Sequence, residues 1–146
     1  MKIFTVAMVL ALGVTTLQAQ DLQPQEVPQA VMQSFEKENV DAQDIEWEYK
    51  AGNFKVEFEE GHLDRDIWYD KDGQMLRMEK ELTMKELPQS IKDVLKSKYS
   101  NFSLDDAELI KEENNITYEV EVENLSKEKN ILFDESGKIL REWDDD

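Results

Sequence analysis

The sequence predicts an α+β fold built as a tandem duplication of an α-β-β-β-β unit, each helix packed on one face of an antiparallel sheet. Three observations predict it. The stretch "EVPQAVMQSFEK" at 26–37 returns as "ELPQSIKDVLKS" at 86–97, a shift of 60. The strand-like "FKVEF" at 54–58 returns as "YEVEV" at 118–122, and "IWYDKDGQMLR" at 67–77 as "ILFDESGKILR" at 131–141, both shifted by 64. Self-similarity at fixed spacing marks one supersecondary unit used twice. The two repeats are assigned to residues 24–81 and 82–143.

Residues 1–19 precede the fold. Lys2 supplies a positive start, "IFTVAMVLALGV" an apolar run, and Leu17-Gln18-Ala19 a cleavage site before Gln20. This is the pattern of a secretory signal peptide, too short for a membrane anchor. Placement of the remaining chain in the periplasm or outside the cell follows, with no membrane span after cleavage.

Each repeat then opens with a helix. Pro28 and Pro88 suit a first helical turn, where a missing N–H costs nothing. Val27, Val31 and Phe35 recur at i, i+4 and i+8, matched by Leu87, Ile91 and Leu95, which gives one apolar stripe per helix. Four strands follow. Ile45, Trp47 and Tyr49 alternate with acids, as do Phe54, Val56 and Phe58 with Lys55, Glu57 and Glu59. In the second repeat Ile116, Tyr118, Val120 and Val122 alternate with Thr117, Glu119, Glu121 and Glu123. Such alternation describes strands with one buried and one wet face.

A two-residue turn at Glu60-Gly61 would place Glu57 opposite Asp64 and Lys55 opposite Asp66. A turn at Asn124-Leu125 would place Glu121 opposite Glu128. Third strands end at Ile67-Trp68-Tyr69 and Ile131-Leu132-Phe133, and "DKDG" and "DESG" turn each into a fourth. The C-terminal "EWDDD" reads as a frayed acidic end. Two four-stranded lobes or one continuous eight-stranded sheet both fit.

Charge and composition exclude several function classes. Removing residues 1–19 takes away one Lys and no acid, leaving 16 Lys+Arg against 34 Asp+Glu, a formal charge of about −18. That field repels phosphate backbones, so nucleic acid is not a partner. The chain has no Cys and a single His, His62, which falls in a hairpin turn. No G-x-S-x-G, H-E-x-x-H or phosphate-cradling loop occurs, so no catalytic residue, cofactor or metal ligand is assigned. Asp70-x-Asp72-Gly73 with Glu79 resembles half of a calcium loop, but its first position would be Trp68 and its flanks are strands. Asn101, Asn115 and Asn124 begin N-x-S/T triplets that matter only in a eukaryotic secretory route.

The wet face holds the candidate binding residues. Like charges directly opposite on a sheet destabilise it, so crowded acids ask for a reason. Alternation turns Trp68 outward while Ile67 and Tyr69 turn in, and an exposed Trp among charges has a hot-spot composition. Trp68, Glu57, Asp64 and Asp66 are therefore the candidate partner-binding patch.

The leader, the duplicated unit, the openings "EVPQAV" and "ELPQSI", and the closings "YDKDG" and "FDESG" resemble the PepSY-like family. Its members are small secreted or periplasmic proteins, common in Bacteroidetes, described as β-lactamase-inhibitor-like. The resemblance covers 24–143. It implies a helix on an antiparallel sheet in each repeat, no catalytic residues, and inhibitory binding by analogy with tandem-repeat inhibitors of β-lactamase. Those inhibitors carry disulfides, which this chain cannot form, and no inhibitory residue carries across. The expected function is a non-enzymatic exported module that contacts or inhibits a protein partner, a basic one on charge grounds, through its sheet face. The alternative is an envelope protein that binds or senses calcium through clustered carboxylates.

Overall fold

A computed structural model describes residues 19–145. The predicted leader lies outside the described residues, apart from Ala19 at its end. Nine strands form one antiparallel sheet whose spatial order is the chain order. They are β1 (Gln20–Leu22), β2 (Gln43–Lys50), β3 (Asn53–Glu60), β4 (Leu63–Tyr69), β5 (Met75–Glu81), β6 (Ser103–Glu112), β7 (Asn115–Asn124), β8 (Lys127–Asp134) and β9 (Ile139–Asp145). Two ten-residue helices interrupt the meander, α1 (Gln29–Glu38) after β1 and α2 (Gln89–Lys98) after β5.

The expected α+β tandem of α-β-β-β-β units is therefore corrected. Among the described residues the chain is predominantly one nine-stranded sheet, and the α-helices are two short insertions. The physical reason lies at the join. β5 does not end a lobe: its free edge is taken by β6, with Arg77 opposite Glu112 and Glu81 opposite Glu108. The Leu82 N–H carries the ladder one step further, donating to the Ala107 carbonyl at 2.7 Å. Buried edge groups need such partners. At the other end β1, absent from the sequence reading, pairs Leu22 with Trp47 of β2 as the chain around Leu82 meets Ala107 of β6.

The core forms two clusters. In the first, Val27, Val31 and Phe35 lie with Trp47, Val56, Phe58, Ile67 and Tyr69. In the second, Leu87, Ile91 and Leu95 lie with Ala107, Tyr118, Val120, Val122, Ile131 and Phe133. Val56 and Val120 are each 0% exposed, as their inward phase requires. Ile45 and Tyr49, expected inside, are exposed, and only Trp47 of that strand is buried. The cause at Ile45 is an irregularity between Gln43 and Glu46, where Asp44 takes a left-handed φ of 49° and breaks the alternation. Tyr49, near the outer end of β2, covers Phe54 with ring centroids 5.1 Å apart.

Both turns sit one residue further on than expected, which moves each cross-strand partner by two residues and leaves every side chain on its expected face. The β3–β4 turn is Gly61-His62, not Glu60-Gly61, so Glu57 faces Asp66, Glu59 faces Asp64 and Lys55 faces Trp68. His62 accepts the left-handed φ of 71° there. The β7–β8 turn is Leu125-Ser126, so Glu121 faces Asn130 and Glu123 faces Glu128. Asn124 sets it, its side-chain oxygen accepting the N–H groups of Ser126 and Lys127 at 3.0 and 3.1 Å. "EWDDD" is not frayed up to Asp145: Trp143 of β9 faces Asn130 of β8, and Glu142 accepts the Tyr99 hydroxyl at 2.6 Å.

The two acidic turns do more than reverse the chain. Asp70 accepts the N–H groups of Asp72 and Gln74, both at 2.9 Å, and Asp134 repeats this with Ser136 and Lys138. Gly73 and Gly137 follow with φ of +81° each. A Cβ on Gly73 would sit 2.5 Å from the Ala30 carbonyl oxygen, and one on Gly137 would sit 2.8 Å from that of Ser90. Both turns thus press directly on the first turn of a helix, and glycine alone fits.

Candidate functional site

Alternation sorts the sheet into a core face and an open face, and the open face of β2–β7 is crowded with acids. Glu46 faces Glu57, Glu57 faces Asp66, and Asp66 faces Glu79, a row of four carboxylates across four strands. Beside it Glu59 faces Asp64, and Glu81 faces Glu108, which in turn faces Glu119. Part of this surface is hollow, with a cavity of about 430 Å³ whose walls include Asp44, Glu59, Asp64 and Glu81. Directly opposed like charges disfavour a sheet, by up to about 1 kcal/mol a pair.

Two cations offset this at one end of the face. Lys55 pairs with Glu57 and, at 2.7 Å, with Asp66. Arg77 pairs with Glu79 and Glu112, its Nε lying 2.7 Å from Glu79. Trp68 stands between them, its ring centroid 5.1 Å from Lys55 Nζ and 5.6 Å from the Arg77 guanidinium carbon. Cations over both sides of an indole hold it in place. Trp68 is half-buried, on the open face and apart from both core clusters.

The electrostatics record the crowding. Burial works against the charge on Lys55, but the Asp66 and Glu57 carboxylates outweigh it and its pKa ends raised. Asp66 is also pushed up, by burial first and by Glu57 and Glu79 on either side, against the pull of Lys55. Glu108 is pushed up to about 7 by burial and by the charges of Glu79, Asp106, Glu119 and Asp66. Glu121 rises to about 7 through burial and a hydrogen bond with Glu128, a diagonal neighbour. A carboxylate among carboxylates ionises reluctantly.

All four residues singled out from the sequence, Trp68, Glu57, Asp64 and Asp66, share this face. Glu57 and Asp66 are direct neighbours, and Asp64, one row away, donates its N–H to Glu81 at 3.1 Å. Sequence reasoning missed Glu46, Glu79, Glu81, Glu108 and Glu119, and the clamp of Lys55 and Arg77. Period two on β5 places Arg77, Glu79 and Glu81 on one face, but only the β5–β6 pairing shows that Glu108 joins them. The half calcium loop does not assemble: Asp70 is spent on its own turn, and Glu79 lies on the open face beside Arg77. Among the described residues no group of three or more His, Asp or Glu is arranged to hold a metal ion. None of their helices is long and apolar enough to cross a membrane.

Comparison with known proteins places this geometry. The family described as "Putative beta-lactamase-inhibitor-like, PepSY-like" matches residues 14–77 and 52–141. No curated protein matches the chain. Among solved structures, a BLIP-like protein from Bacteroides fragilis is 27% identical, with a TM-score of 0.66 over 80% of this chain and 86% of that one. A DUF2874 family protein from Bacteroides uniformis is 22% identical, with a TM-score of 0.68 over 80% and 88%. A protein from Bacteroides eggerthii, described as "putative periplasmic", is 18% identical with a TM-score of 0.69 over 81% and 88%, a likeness of fold alone. Through the family match, which runs from residue 14 to residue 141, the chain belongs to the PepSY-like family of β-lactamase-inhibitor-like proteins.

Proposed function

We propose that this protein is a non-enzymatic exported module, built from repeats at 24–81 and 82–143, that binds a basic protein partner across the open face of its sheet. The observation that carries the reading is the acid row Glu46–Glu57–Asp66–Glu79 with Trp68 held beside it between Lys55 and Arg77. A basic partner would relieve repulsion already present in the free protein, and complementary charge speeds encounter and selects the partner. A preordered aromatic loses little freedom on binding, which is why such residues anchor interfaces. The BLIP-like relative and the family description support a binding role. The "putative periplasmic" neighbour supports export.

Immobilised protein lacking residues 1–19 is exposed to envelope extract at low salt. Captured proteins should be basic and released by raised salt. Trp68→Ala should weaken capture by about 2 kcal/mol, roughly thirty-fold. Glu57→Lys with Asp66→Lys should abolish it. Capture of background proteins only, or capture indifferent to both variants, would reject this role for the face.

A further inference from the structure

The largest asymmetry between the two core clusters lies beside α2. In the first cluster Phe35 packs edge-on against Trp47 and Phe58, with centroids 5.3 and 5.1 Å away. The positions 60 or 64 residues further on carry Leu95, Ala107 and Val122. Three rings are replaced by three smaller side chains in the same register, since Trp47 faces Val56 as Ala107 faces Val120. Tyr99 and Phe102, at the positions of Asn39 and Ala42, return two rings to this end of the core but do not close it. A groove of about 360 Å³ opens between α2 and strands β6 and β7, lined by Leu95, Tyr99, Phe102, Leu104 and Val122, with Met84 at its edge.

The rim differs as much as the floor. Met32 and Glu36 of α1 correspond to Lys92 and Lys96 of α2, and both lysines line the groove. In a chain with 34 Asp+Glu against 17 Lys+Arg, neither makes an ion pair among the described residues. Lys92 donates only to the Lys85 carbonyl, at 3.2 Å. The acid rows occupy the open face of the sheet, whereas α2 carries Lys92, Lys96 and Lys98 against Asp93 alone. The acid the structure places against the groove wall, Glu142, accepts the Tyr99 hydroxyl and pairs with Lys129. Charges further apart than about 8 Å are largely screened at physiological salt, so Lys92 and Lys96 are the lining charges without an ion-pair partner among the described residues.

We propose that the groove binds a small amphipathic anion, a carboxylate carrying a single apolar tail. The apolar lining takes the tail, Met84 adapts to its outer end, and the two ammonium groups take the carboxylate. The volume lies at the low end of ligand pockets, roughly 300–1,000 Å³, which suits one medium chain and excludes a two-chain lipid. This site is independent of the partner face proposed above.

Titration calorimetry with decanoate below its micelle-forming concentration tests the proposal on the chain lacking residues 1–19. One saturable site is expected, with decanoate bound at least about tenfold more tightly than decanol or decyltrimethylammonium. Lys92→Gln with Lys96→Gln, on the surface, should erase that advantage and leave decanol binding unchanged. Leu95→Phe and, separately, Val122→Phe restore the bulk of Phe35 and Phe58 and should weaken every tail by about tenfold or more. If one of these overpacks and unfolds, the other and the lysine pair decide. Absence of saturable decanoate binding, equal binding of the cationic amphiphile, or undiminished binding in a folded groove-filling variant would each overturn the proposal.

Discussion

The half containing α1 and β2–β5 and the half containing α2 and β6–β9 share strand order and hairpin type but not side-chain bulk. The first closes its core with Phe35, Trp47 and Phe58; the second puts Leu95, Ala107 and Val122 in their place and leaves a groove. The hydroxyls have moved as well. Tyr69 is buried and its hydroxyl lies near Asn39 without a well-formed hydrogen bond, whereas the corresponding position 133 is Phe. Asn39 corresponds to Tyr99, whose hydroxyl reaches Glu142. What the halves have in common is the alternation and the turn chemistry. Binary pattern fixes a backbone, and detailed packing then varies over it.

The severest test is whether the halves are separable. Val56→Asp and Val120→Asp each place a charge at a site with no exposure, at a cost of several kcal/mol, comparable to a domain's whole stability. Because β5 and β6 are hydrogen-bonded into one sheet, either change should remove the folded transition of the entire chain in a denaturant titration followed by circular dichroism. A surviving half-amplitude transition would show two independent units.

Truncations should then reveal the difference in packing. Phe35→Ala removes a ring that touches two others and should cost about 3–5 kcal/mol, while Leu95→Ala beside the groove should sit near 2 kcal/mol. Equal losses in urea midpoints would mean that the groove is filled in solution. Tyr99→Phe should cost about 1–2 kcal/mol by releasing a carboxylate-bound hydroxyl, against almost nothing for Tyr69→Phe; melting temperatures decide.

The smallest effect is a pH dependence. Glu108 and Glu121 have folded pKa values of about 7, above the ordinary carboxylate value. The folded state therefore holds more protons than the unfolded between about pH 4.5 and 7, and stability falls as pH rises through that window. Melting temperature should be higher near pH 5.5 than at pH 8, and Glu108→Gln should flatten the slope. Below about pH 4 the trend reverses as Glu86, held down to about 2 by the Thr83 N–H and hydroxyl, and Asp134 and Glu142, both also held low, begin to take protons.

Much of this molecule is legible in its residues. Val56, Val120, Ile67 and Phe133 are buried because their phase says so, and Asp70 and Asp134 announce their turns. What is not legible depends on pairing between distant segments. The turn falls at Gly61-His62, one residue on, and moves each cross-strand partner by two because His62 tolerates a left-handed φ, which no hydrophobic pattern records. The fusion of the strands into one sheet rests on β5 meeting β6 across α2, and β1 is too short to show alternation. Trp68 and its three acids could be assigned to one face from period two alone, whereas Glu108 joins them only through that same β5–β6 seam.

The contrast among the hairpin glycines decides where this chain can be lengthened. Gly52 and Gly61 turn in open space, with nothing within 4 Å of an added Cβ, while Gly73 and Gly137 lie against helix backbone. A tag, epitope or fluorophore-bearing loop inserted at Ala51-Gly52 pays only the slow, logarithmic entropy of a longer loop. The same insertion after Asp70 or Asp134 would push a helix off its seat. The usable entry point for labelling or grafting therefore lies in the hairpins without acidic turns, and the two that look most like flexible surface loops in the sequence are the ones to leave alone.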